Sequence, residues 1–85
     1  MREKFYIEGH KPKTSLEDEN TLIIGQDEGY QTLEEATRKA REYFENKKEL
    51  GLTVIYREDP FGVKKGIKLI FKNNEGELEE SCLQG

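Results

Sequence analysis

The sequence predicts a two-layer α+β domain, in which one helix packs on a mostly antiparallel sheet of four or five strands. One segment has the capping residues and the apolar spacing of an amphipathic helix, and shorter β-rich segments lie on both sides of it. Compact turns separate the later segments, as in antiparallel hairpins. The predicted chain order is strand, strand, helix, strand, strand and a short further strand, and the 85 residues suffice for one such domain, residues 1–85.

Two strands are predicted before the helix. Residues 4–8 alternate between an apolar and a mixed face, which is the pattern of a half-buried strand. Residues 21–26 form a second short segment rich in β-branched side chains. Residues 9–20 between them contain a proline, three consecutive acidic residues and one apolar side chain. We therefore expect a long, flexible connection there.

The helix is the clearest element of the sequence. Thr32 can cap its first turn, with Glu35 three residues later in the position of a capping box. We expect about 17 residues of helix, ended by Gly51 in the left-handed conformation. Three pairs are spaced to form ion pairs along it: Glu34 with Arg38, Glu35 with Lys39 and Arg41 with Glu45. Its apolar side chains share one stripe: Leu33, Ala36, Ala40, Tyr43 and Phe44.

Two strands joined by a turn are predicted after the helix. Residues 52–58 are rich in β-branched and aromatic side chains, and residues 59–62 have the composition of a compact turn. Residues 66–72 alternate again. The two sides of that strand are Ile67, Leu69 and Phe71 on one, and Lys68, Ile70 and Lys72 on the other.

A fifth strand follows if residues 73–76 form a four-residue loop. Such a loop places Lys72 opposite Glu77 and Phe71 opposite Leu78, an ion pair and an apolar pair. The fifth strand is short and charged, which is typical of a sheet edge.

Residues that could carry catalysis or bind a metal are few. His10 and Cys82 are the one histidine and the one cysteine, whereas zinc needs three or four nitrogen or sulfur ligands. Neither Ser15 nor Ser81 lies in a nucleophile motif, and most acidic residues alternate with lysine and arginine. We therefore predict no metal, no cofactor and no enzymatic activity.

The sequence also predicts a location. A single cysteine cannot form an internal disulfide, and residues 1–8 already carry four charges, unlike a signal peptide. The longest apolar run, residues 22–24, is far shorter than a membrane span. We expect a cytoplasmic protein that does not contact a membrane.

Residues 60–74 contain no acid, and they carry four lysines beside Phe61 and Phe71. A basic strand with aromatic side chains can bind nucleic acid through phosphate contacts and base stacking. The net charge of −4 and the pI near 5.1 oppose this, and a solvated face with cross-strand ion pairs is the favoured interpretation. The lysines of this alternative are Lys64, Lys65, Lys68 and Lys72.

Some apolar residues have no evident place in a single core. If each strand turns one fixed face toward the core, Tyr6 and Ile55 lie on the opposite faces. Phe61 lies in a turn, and Tyr30 precedes the helix. They are either contacts for a partner on an uncovered sheet face or a second small cluster under residues 9–20. Tyr6, Tyr30 and Phe61 are our predicted partner-binding residues.

The strand and helix layout resembles that of small bacterial and phage domains without assigned function, mainly over residues 32–43, and it transfers no functional residue. Small acidic phage inhibitors have a similar size and charge. The main hypothesis is a non-enzymatic protein-binding module of adaptor or inhibitor type, encoded by a phage or mobile element. It would act through a charged helix face or an exposed sheet edge. Self-association is also expected of so small a core. Nucleic-acid binding is the alternative, and a subunit of a shared active site is a third hypothesis.

Overall fold

The computed structural model describes residues 4–11, 22–25 and 29–83, which form one helix on a five-stranded antiparallel sheet. This confirms the predicted two-layer α+β architecture. Among the described residues, no helix is long and apolar enough to cross a membrane. The elements are β1 (Lys4–His10), β2 (Leu22–Ile24), α1 (Leu33–Asn46), β3 (Leu52–Glu58), β4 (Lys64–Lys72) and β5 (Leu78–Cys82).

The spatial order of the strands is β2-β1-β3-β4-β5, so the chain passes from the β2 edge through α1 to β3 beside β1. β1 is two residues longer than predicted, because Gly9 and His10 pair with Thr53 and Leu52 of β3. Gly9 and His10 of the predicted connection therefore belong to β1, and residues 12–20, on which the rest of that prediction falls, lie outside the described residues.

Helix α1 begins as predicted and ends earlier. The Thr32 hydroxyl accepts a hydrogen bond of 3.1 Å from the Glu35 N–H, which caps the first turn. The prediction that the helix continues to Gly51 is wrong: Lys47 is extended (φ −119°, ψ 102°), and Gly51 has no positive φ. Ending the helix at Asn46 lets the chain turn so that Leu50, 1% exposed, enters the core.

Two hairpin loops share one construction. In the β3–β4 loop the Asp59 carboxylate accepts hydrogen bonds from two backbone N–H groups, at 2.9 and 3.0 Å, and Gly62 has a φ of +85°. In the β4–β5 loop Asn73 accepts two such bonds, also at 2.9 and 3.0 Å, and Gly76 has a φ of +81°. Each glycine supplies the left-handed residue that closes a short hairpin.

The pairing predicted between β4 and β5 is wrong by one position. Lys72 lies opposite Leu78, and Phe71 lies opposite Glu79. The prediction assumed a loop of four residues. In the structure a bulge at Gly76 adds one residue on the β5 side, which shifts the pairing by one position. Leu78 consequently packs against the core on the helix side of the sheet.

Among the described residues, the fully buried apolar side chains lie between α1 and the sheet. The two helix alanines, Ala36 and Ala40, are fully buried and let the helix approach closely. Ile55 was expected on a face turned away from the core, and this is wrong, because it is 0% exposed under the helix. The buried residues are Ile7, Ala36, Ala40, Phe44, Leu50, Thr53, Ile55 and Ile70.

The two sides of β4 alternate as predicted except at a bulge. A register shift between Ile55 and Tyr56 turns Ile67 toward the core cluster, away from the side of Leu69 and Phe71. Ile70 is fully buried, so its side of β4 is the one that faces α1.

Candidate functional site

The described elements cover only one face of the sheet. α1 is the one helix among them and packs on the side of Ile7 and Ile55, and every described strand lies in the sheet itself. The opposite side is here called the open face. Its residues are Tyr6, Glu8, His10, Leu52, Val54, Tyr56, Lys64, Gly66, Leu69 and Phe71.

The apolar side chains of the open face are only half-buried, unlike those under α1. Tyr6 lies opposite Tyr56, and Val54 lies opposite Leu69, so aromatic and aliphatic groups run across three strands. Neighbours on the same face shield part of each side chain. The result is a contiguous apolar surface on the described part of the chain, of the kind that marks interaction sites.

Tyr6 is held in place from one side. The Lys64 Nζ lies 4.3 Å from the centre of its ring, which is a cation–π contact, and 4.0 Å from Glu58 Oε2. Gly29 lies against the same ring, since a Cβ there would be 3.4 Å from two ring carbons. The ring therefore has a fixed orientation at the edge of the open face.

Gly66 leaves the position of one Cβ unfilled in the open face. A Cβ at this position would lie 3.4 Å from Val54 Cγ1, 3.5 Å from Leu83 Cδ1 and 3.7 Å from Tyr56 Cε1. These three apolar groups surround the space that a side chain would fill. The Leu83 N–H donates to the Ile67 carbonyl at 2.9 Å, which fixes Leu83 there although it is 38% exposed.

Phe61 stands at the tip of the β3–β4 hairpin and is 92% exposed. Its backbone N–H donates to the Asp59 carboxylate, so the loop that presents the ring is ordered. Val63 in the same loop is 51% exposed. A rigid loop that presents an aromatic ring loses little conformational entropy when a partner buries it.

Two polar side chains of the open face, His10 and Glu8, form a pair. His10 Nε2 and Glu8 Oε1 are 2.7 Å apart. Burial, and secondarily the negative charge of Glu8, raises the pKa of the Tyr56 phenol. The phenol is therefore neutral at physiological pH and offers hydrogen bonds rather than a phenolate.

Two of the three predicted partner-binding residues lie toward the same end of the sheet, and the third does not. Tyr6 and Phe61 lie toward the β3–β4 end of the sheet, Tyr6 on the open face and Phe61 at the hairpin tip. Tyr30 is elsewhere: it packs against the core cluster, and its backbone exchanges hydrogen bonds of 2.9 and 2.7 Å with Phe5.

The four lysines of the basic strand do not share one surface. Lys64 lies on the open face, and Lys65 and Lys68 belong to the helix side. Lys68 forms a cross-strand ion pair, as expected, with Nζ 2.6 Å from Glu80 Oε1. Its side chain is only 16% exposed, so the expected solvated position is wrong for this lysine. The Lys72 Nζ lies 5.9 Å from the ring centre of Phe44.

Two arginines that the sequence interpretation missed lie beside Lys68. Arg41 does not form the predicted pair with Glu45 in the structure and instead contacts the Glu80 carboxylate through Nε, at 2.8 Å, and Nη2. Hydrogen bonds from Lys68 and then from Arg41 hold the pKa of Glu80 below its usual value. The sequence did contain a signal for this site, because Arg38 and Arg41 are three residues apart and lie on the same side of the helix. Helix spacing alone, however, indicated that each arginine pairs with an acidic residue of the same helix.

Within the described ranges, no group of three or more histidine, cysteine or acidic side chains is placed to hold a metal ion. Cys82 is exposed and free.

Comparison with known proteins adds no family. No protein-family model matches the chain, and neither the curated proteins nor the solved structures contain a significant match.

Proposed function

We propose that the chain is a non-enzymatic protein-binding module of adaptor or inhibitor type that binds its partner through the open face. The observation that supports this proposal is the row of half-buried apolar side chains on three central strands, with Phe61 exposed at the end of the row. Such a surface loses unfavourable contact with water when a protein partner covers it.

The partner is the apolar surface of another protein. An apolar side chain of that partner would contact the open face at Gly66, between Val54 and Leu83. Phe61 would be the aromatic anchor, because exposed aromatic residues in fixed positions contribute most to many interfaces. Tyr6 and Tyr56 would supply the wider contact area.

The geometry favours the open face over the two surfaces expected from the sequence. The described sheet edges are β2, which is three residues long, and β5, which carries exposed Glu79 and Glu80. Short and charged edges resist the addition of a strand. The outer face of α1 is charged, with Lys39 and Glu42 3.7 Å apart, and covering it would remove water from both ions.

The test is quantitative affinity capture from the cells in which the chain is found. The face variant carries Phe61→Ser and Leu83→Ser, and the matched control carries Glu45→Ser and Lys48→Ser on the exposed helix end. We expect one defined partner to be captured by the wild type and the control and lost by the face variant. A partner retained by the face variant would contradict the proposal. Self-association of the purified chain, measured by light scattering and abolished by the face variant, would also contradict it, because the partner would then be a second copy.

A further inference from the structure

The sheet is wider than the helix that covers it. A helix with its side chains is about 10 Å across, whereas five strands at about 4.8 Å span roughly 19 Å. α1 packs mainly on β1 and β3, which leaves the helix side of β4 and β5 partly uncovered. Long polar side chains bridge this gap, Arg41 to Glu80 and Lys68 to Thr37, the latter at 3.3 Å.

An open groove of about 350 Å³ lies in the gap, between the first half of α1 and β4. Leu33 and the methylene groups of the longer side chains form the apolar part of the groove wall. The charged ends of those side chains surround the groove. The groove is lined by Leu33, Glu34, Thr37, Arg38, Arg41 and Lys68.

The charge of the groove is opposite to that of the whole chain. Three of its six lining residues are cations and one is an acid, whereas the chain carries a formal charge of −4. A local positive potential in an acidic protein concentrates anionic groups at that place.

One carboxylate of the chain already binds the cations at one end of the groove. Glu80 lies 2.6 Å from the Lys68 Nζ and also contacts the Arg41 guanidinium. Arg38, one helix turn before Arg41, is exposed and forms no ion pair within the described residues. Its guanidinium is thus available for a second carboxylate, which it can bind in a planar, two-point contact.

We infer that this groove binds an acidic peptide segment of a protein partner, with a peptide carboxylate on Arg38 and an apolar side chain of the peptide against Leu33. The lining favours a peptide over single-stranded nucleic acid, because none of the six lining residues is aromatic and base stacking needs aromatic rings. The site is on the opposite side of the sheet from the open face, so the inference goes beyond the proposed function and does not depend on it.

The experiment is a titration of the ¹⁵N-labelled full chain, followed by NMR of backbone amides and arginine Nε–H groups. The probe is an acetylated hexapeptide of alternating Glu and Leu, and its Gln and Leu analogue removes the charge. Thymidine hexanucleotide is a third probe. The variants are Arg38→Gln and the control Lys48→Gln, which makes the same charge change at an exposed turn residue after the far end of α1.

We expect saturable shifts at Thr37, Arg38 and Lys68 with the Glu peptide, and at least fivefold weaker binding by Arg38→Gln but not by Lys48→Gln. Equal binding of the Gln analogue, or no shift at the groove at millimolar peptide, would overturn the inference. Tighter binding of the thymidine oligonucleotide than of the Glu peptide would also overturn it, in favour of nucleic acid.

Discussion

Lys68 and Glu80 form an ion pair beneath the side of α1, with 2.6 Å between Nζ and Oε1. Lys68 also donates to the Thr37 hydroxyl, and Arg41 binds the same carboxylate from the helix. The pair therefore connects β4, β5 and α1 where the helix is too narrow to cover the sheet. It contributes to stability and forms one end of the inferred peptide groove.

Glu80→Gln should lower the free energy of unfolding by about 1 kcal/mol at neutral pH, since it removes a part-exposed carboxylate that two cations bind. The pKa of Glu80 is lower in the folded chain than in the unfolded one. Its contribution is therefore present above the unfolded pKa, about 4.3, and is lost as the pH falls through the folded value.

Urea unfolding of wild type and Glu80→Gln at pH 7 and at about pH 3.5 measures this, and the difference between them should shrink at the lower pH. Glu75→Gln, in the exposed β4–β5 loop, is the control. A wild-type advantage that is the same at both pH values would refute the role of the Glu80 charge.

Ile70→Ala should cost about 2–4 kcal/mol, because Ile70 is fully buried beneath α1 and its removal leaves a cavity. Leu69→Ala on the open face should cost about 1 kcal/mol, since that side chain is only half-buried. Ile70→Val, at roughly 0.5–1.5 kcal/mol, keeps the comparison measurable if the alanine variant does not fold. Denaturant unfolding measures the free energies of unfolding. If Leu69→Ala lost more stability than Ile70→Ala, Leu69 and not Ile70 would face the core, which would contradict the structure.

The sequence was sufficient for the elements with strong local signals. The bounds of β3, Leu52–Glu58, and the cap at Thr32 are as predicted, because both depend on neighbouring residues. The helix end could not be predicted in this way. Lys47 and Lys48 suit a helix end, but burial of Leu50 beneath β1 is a tertiary effect that ends the helix sooner.

The faces of the central strands were also beyond local patterns. The number of apolar residues on each side of β4 predicts that Leu69 and Phe71 face the core. In the structure the core side carries Ile70, Lys68 and Lys72 instead. Lysine can occupy this side because its stem is apolar and its ammonium reaches a carboxylate or an aromatic ring at the rim. Of the candidate binding residues, Tyr6 and Phe61 came from strand and turn patterns, whereas Arg38 depends on a groove between elements.

Gly9→Ala should destabilise the chain by about 1–3 kcal/mol, because the added Cβ would lie 2.7 Å from Leu50 Cδ1 and 2.9 Å from Ile24 Cδ1. Gly66→Ala makes the same chemical change on the open face, where the shortest contact would be an ordinary 3.4 Å. It should change stability by less than about 0.5 kcal/mol. Thermal and urea unfolding test the pair, and equal losses at both positions would show that Gly9 is not tightly enclosed.

Nucleic-acid binding by the basic strand should be weak or absent, since Lys64 lies on the opposite face from Lys68 and Lys72, and Lys64 and Lys68 have acidic partners. Fluorescence anisotropy with labelled single- and double-stranded oligonucleotides at about 50 mM salt measures it. Binding that falls steeply with salt and is lost in Lys64→Gln with Lys65→Gln would restore the alternative function.

Accessibility of the open face in the free chain is the most direct test of the central claim, that one sheet face remains available to a partner. NMR relaxation by a soluble gadolinium chelate measures it at single methyl groups. We expect the methyls of Val54 and Leu69 to relax several-fold faster than those of Ile55 and Ile70, which α1 covers. Equal protection of the two sets would contradict the account, because the open face would then be covered within the chain itself.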